Sequence, residues 1–68
     1  MSSSFDESRQ MAADNISDME RQLSRMMRTY NNYIKHNAVN AAAELMVEIE
    51  SLECGIACEE DMFRLAFY

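Results

Sequence analysis

The chain reads as an all-α protein, an antiparallel two-helix hairpin, on three observations. Apolar residues recur in alternating steps of four and three through both halves. They run Ala12, Ile16, Met19, Leu23, Met26, Tyr30 and Tyr33, then Ala38, Ala42, Leu45, Ile49, Leu52, Ile56, Phe63 and Ala66, with Glu59 the one polar member. That spacing draws a narrow stripe along a helix, the seam of coiled coils and helical bundles. Proline is absent and glycine occurs once, at Gly55, so little interrupts either helix. The period lapses only near Lys35, His36 and Asn37, which leaves room for one short turn.

The first helix is expected over about 5–35. Ser4 stands as its N-cap, with Glu7 completing a Ser-x-x-Glu capping box, and residues 1 to 3 form a frayed tail. Asp6 and Glu7 in the first turn complement the helix dipole. At about 1.5 Å per residue this helix is roughly 45 Å long. Basic side chains occupy its last turn, and Asn37 is placed to cap the next helix. A turn over about 36–37 makes the second helix, about 38–66, an antiparallel neighbour. Gly55 is the local conflict, because glycine inside a helix costs about 1 kcal/mol relative to alanine. It marks either a close-packing point in a continuous or kinked helix, or an end beyond which Cys58 to Tyr68 form a separate short helix.

Antiparallel pairing brings together residues whose numbers add to roughly 72 or 73. Tyr30 and Tyr33 then face Ala41, Ala42 and Ala43; Leu23 faces Ile49, Ile16 faces Ile56, and Phe5 meets Phe67. Large against small by the turn, and aromatic on aromatic at the open end, is sound packing. The expected core and interface is Ile16, Met19, Leu23, Met26, Tyr30, Leu45, Ile49, Leu52, Ile56, Phe63 and Phe67. On the flanks Arg28 approaches Glu44, Arg25 approaches Glu48, and Arg21 approaches Glu50 or Glu53. Such a ladder fixes register more than it stabilises.

With 68 residues the chain makes one domain with a small core, and chains of that size recruit partners or staples. Cys54 and Cys58, four apart on one helix, do not make a disulfide framework. The expected remedy is a homodimer in which two hairpins form a four-helix bundle. Met62 to Tyr68 is apolar on more than one face, and that surplus points to an interface within the homo-oligomer or with a host protein. Met19, Met26, Met27, Met46 and Met62 fall on or beside the stripe, where methionine also suits adaptable contacts.

The net charge of −6 is uneven. Asp6, Glu7, Asp14, Asp18 and Glu20 are balanced by Arg9, Arg21, Arg25, Arg28 and Lys35 in the first half. Glu44, Glu48, Glu50, Glu53, Glu59, Glu60 and Asp61 face Arg64 alone in the second. The acidic balance argues against nucleic acid as the first partner, although Arg21, Arg25 and Arg28 form a basic stripe that can grip phosphates. No run of about twenty apolar residues is present to span a membrane. The polar stretch Met1 to Gln10 does not resemble a secretory leader. The expected compartment is the cytoplasm, with both thiols reduced.

No catalytic, cofactor-binding or metal-binding residues are expected, and the chain does not read as an enzyme. Zinc usually takes four ligands, whereas the one histidine, His36, lies at the turn, far from the cysteines. Four thiolates could come only from two copies, so Cys54 and Cys58 are expected as small buried packing residues beside Gly55. The glutamate clusters lack the histidine that helical carboxylate sites combine with them.

The stretch Glu7-Ser8-Arg9-Gln10-Met11-Ala12-Ala13-Asp14-Asn15, with Leu52-Glu53-Cys54 further on, resembles small helical accessory proteins from the exo–xis early region of lambdoid bacteriophages. The resemblance implies a non-essential phage regulator in the bacterial cytoplasm that influences the choice between lysis and lysogeny. It transfers no catalytic or binding residues. In architecture the chain also resembles the plasmid RNA-binding hairpin dimers, an analogy of fold alone. The expected function is a regulatory interaction module acting through protein–protein contacts with a host or phage protein. The alternatives are a nucleic-acid-binding regulator using the arginine stripe, and a DNA mimic built on the acidic second helix.

Overall fold

A computed structural model of the chain describes residues 3–67. It consists of two helices, α1 (Ser3–Lys35) and α2 (Val39–Phe67), with no strand among the described residues. They fold back on each other as a rod with extents of 56 × 16 × 12 Å. Its radius of gyration is 15.8 Å, against about 11 Å for a compact domain of this length. The all-α hairpin is therefore as the stripe predicts. α1 begins at Ser3, so Ser4 lies inside the helix and not at its cap, and the residues that precede the first turn lie outside the described ones. The expected frayed tail likewise falls, apart from Ser3, on residues outside that description.

The turn is built by the end of α1. Asn37 has φ 59°, the left-handed conformation that asparagine tolerates better than most side chains. The Ala38 N–H donates to the Tyr33 carbonyl at 2.8 Å and the Asn37 N–H to the Ile34 carbonyl at 3.1 Å. That pair of bonds is a Schellman motif with Asn37 just past the C-cap. His36 contributes too, its Nδ1 lying 2.8 Å from the Asn32 carbonyl oxygen, which accepts the bond. Asn37 therefore closes α1 and does not cap α2. The first bond of α2 runs from the Ala42 N–H to the Ala38 carbonyl at 3.0 Å.

Two contacts fix the register. The Phe5 and Phe67 rings meet edge-on, with centroids 5.3 Å apart and planes at 68°, while Phe63 stacks at a tilt on Phe67 at 4.9 Å. Midway along the rod, the Met19 Cε methyl lies 3.3 Å from where a β-carbon on Gly55 would sit. α2 runs unbroken through Gly55, so this glycine is a close-approach point and not a helix end. The two helices come near enough there that a methionine methyl takes the space of a missing side chain.

The core is one line thick. Ala42, Ile49 and Ile56 are buried, all on α2 and one heptad apart. Ile16, Met19, Leu23, Met26, Tyr30, Leu45, Leu52, Phe63 and Phe67 are half-buried. Two helices share a single contact line, so each seam side chain keeps one flank in water. Glu59 falls on the stripe yet is exposed, because its long stem carries the carboxylate out past the seam.

Candidate interaction surfaces

The heptad sorts every side chain to a face. The back of α1 carries Glu7, Asp14, Arg21, Arg28 and Lys35 in single file at seven-residue spacing, all exposed. Acids lie toward the N-terminus and bases toward the C-terminus, the order that the helix dipole favours. This placement overturns the expected ladder of ion pairs. Arg21 pairs instead with Asp18 of its own helix, and Arg64 pairs with Asp61 at 2.5 Å. Arg25 and Arg28 have no carboxylate partner among the described residues. Arg21 and Arg28 sit on the face opposite the seam, turned from Glu44 and Glu50, while Arg25 shares a shallow groove with Arg21 and with Glu59 of α2.

One side of the hairpin is divided into two zones. Met27 and Ile34 follow the seam residues Met26 and Tyr33, and Val39 and Met46 follow Ala38 and Leu45. In an antiparallel pair these flanks share a side. Met27, Ile34 and Val39 are exposed and Met46 is half-buried, which gives an apolar patch beside the turn. Farther along the same side come Asp6 and Glu20 on α1 with Glu53 and Glu60 on α2, all exposed. The opposite side holds a shallow, mostly apolar groove lined by Met19, Gln22, Met26, Leu45, Val47, Glu48, Ser51, Leu52 and Gly55.

The back of α2 differs from the back of α1. Val47, Ser51, Cys54, Cys58 and Leu65 lie there in steps of four and three, broken only by Asp61, and all are exposed. Both cysteines are free and exposed. The expectation that they fill the core beside Gly55 is thus corrected: Gly55 lies on the flank of the seam, and Cys54 and Cys58 fall on the opposite face. The steps of four and three that mark this second stripe are present in the sequence beside those of the seam.

Among the described residues no group of three or more histidine, cysteine or acidic side chains is placed to hold a metal ion. No helix there is long and apolar enough to cross a membrane. No protein-family model, no curated protein and no solved structure matches the chain.

Proposed function

We propose that the chain is a small non-enzymatic regulatory module that works by protein–protein contact, as a homodimer of hairpins. The observation that supports this reading is the amount of apolar side chain left outside the seam: Met27, Ile34 and Val39 beside the turn, Val47 and Leu65 on the back of α2. Contiguous exposed apolar surface on a small protein marks a recognition site. The resemblance to the phage accessory proteins supplies the setting, a regulator of phage development in the bacterial cytoplasm, with a host or phage protein as its target.

A second reading takes its support from Arg25 and Arg28, which have no carboxylate partner among the described residues and stay available to phosphates. One experiment separates the two. Duplex DNA and structured RNA are titrated with the wild-type protein and with the Arg21→Gln, Arg25→Gln, Arg28→Gln triple variant. A parallel capture from bacterial lysate, treated with nuclease, compares wild type with Ile34→Asp. The interaction module expects no submicromolar nucleic-acid complex near physiological salt, and a nuclease-resistant partner that Ile34→Asp loses. A complex lost in the triple variant, with a log–log salt slope of about −2.7 for three neutralised phosphates, establishes the second reading instead.

A further inference from the structure

The two helices of the hairpin are not alike. α1 has one apolar seam and a charged or polar back, as suits a helix with a single neighbour. α2 carries apolar residues on opposite faces, the pattern of a helix packed from both sides. Its outward stripe, Val47, Ser51, Cys54, Cys58 and Leu65, has nothing to cover it within one hairpin.

We propose that this outward face of α2 is a homotypic docking surface, covered by the same face of a second copy running antiparallel about a two-fold axis near Ile56. The inference rests on the homodimer reading above and adds the face, the direction and the register. In that register the layers of the outward stripe are self-complementary, while on the Gly55 flank Glu48 lies beside Met62 of the second copy. Val47 lies on Leu65 of the second copy, the Ser51 hydroxyl donates to its Asp61 carboxylate, and Cys54 faces its Cys58. On one flank Glu50 meets Arg64 of the other copy; on the flanks of the axis Gly55 faces Gly55 and Ala57 faces Ala57. Small residues there let the helices close to about 8 Å between axes. The one charged break in the stripe, Asp61, and the one cation of α2, Arg64, which pair with each other within the hairpin, each gain a partner from the second copy, whereas a slip of one heptad sets Asp61 against Glu44.

The rod shape, 56 × 16 × 12 Å, leaves the chain with 5364 Å² exposed, where a compact monomer of 7.9 kDa exposes about 4400 Å², and pairing two rods lengthwise removes part of that excess. The alternative face, beside Met27 and Ile34, suits self-association less well. Antiparallel copies would lay its apolar end on Glu20, Glu53 and Glu60, and parallel copies would set those carboxylates against themselves.

The thiols report the register directly. Cys54→Ser and Cys58→Ser variants are oxidised with diamide, separately and as an equimolar mixture. The mixture is expected to form disulfide-linked dimers at least tenfold faster than either variant alone. In the proposed register like cysteines are offset by four residues, about 6 Å along the axis, and fall outside disulfide reach. Sedimentation equilibrium of Leu65→Asp and Val47→Asp, at positions 86% and 69% exposed, is expected to show at least tenfold weaker dimers with unchanged helix content. Single variants that cross-link as fast as the mixture, or a dimer indifferent to Leu65→Asp, overturn this face while leaving the homodimer standing. A wild-type chain that stays monomeric through the micromolar range removes both.

Discussion

The Met19 Cε methyl sits 3.3 Å from the position that a β-carbon on Gly55 would take. The neighbour is the tip of a flexible side chain and not backbone, so a few tenths of an ångström of movement accommodates a methyl group. Replacing glycine by alanine inside a helix gains about 1 kcal/mol. Gly55→Ala is therefore expected to stabilise the hairpin by up to about 1 kcal/mol, read as a higher urea midpoint. A lower midpoint means that Met19 is held rigidly and the contact is a fixed part of the packing.

Burial separates two residues that the stripe treats alike. Ile49 is 3% exposed and Leu23 is half-buried. Truncating a buried aliphatic side chain costs about 2–5 kcal/mol. Ile49→Ala is expected in the middle of that range, a large share of the stability of so small a chain, and Leu23→Ala at or below its lower end. Denaturant titrations of both variants check the order. Equal losses would mean that another surface covers Leu23 in solution.

Asn37, with φ 59°, occupies a conformation that costs an ordinary L residue about 1–2 kcal/mol. Glycine adopts it freely and is the commonest residue at this place in a Schellman motif. Asn37→Gly is expected to raise stability by about 0.5 kcal/mol, and Asn37→Ala to lower it by about 1 kcal/mol. Opposite signs in thermal melts confirm that the residue serves the turn through its backbone.

Among the described residues Arg21, Arg25 and Arg28 make no ion pair with α2. The Arg21→Gln, Arg25→Gln, Arg28→Gln triple variant is expected to change stability by less than about 1 kcal/mol, since exposed ion pairs contribute that little and only Arg21 makes one. A loss of several kcal/mol, measured by chemical denaturation, would point to a cross-helix ladder after all.

The secondary structure and the direction of the second helix were legible in the residues themselves. Alternating steps of four and three define a helix face whatever lies against it. A lapse of that period over three residues leaves no path except a tight reversal. The aromatic contact of Phe5 with Phe67 followed from the same register.

Other features depend on where a whole face points in space, and there local reading went astray. Arg21, Arg25 and Arg28 looked like partners for Glu44, Glu48 and Glu50 because the numbers matched across the turn. Arg21 and Arg28 lie seven apart on the face opposite the seam, and Arg25, on its flank, makes no ion pair with those glutamates among the described residues. Cys54 and Cys58 stand close to Gly55 in sequence, yet a step of one residue turns a side chain by about 100° about the helix axis, and two steps from the seam residues Leu52 and Ile56 carry it about 200° round to the far side. Asn37 has the side chain of a cap for α2, but its left-handed backbone, φ 59°, serves the helix behind it. The helices, the turn and the seam follow from periodicity along one chain and could be read from the residues. Which side chains are covered depends on where the second helix lies, and that is a property of the folded hairpin.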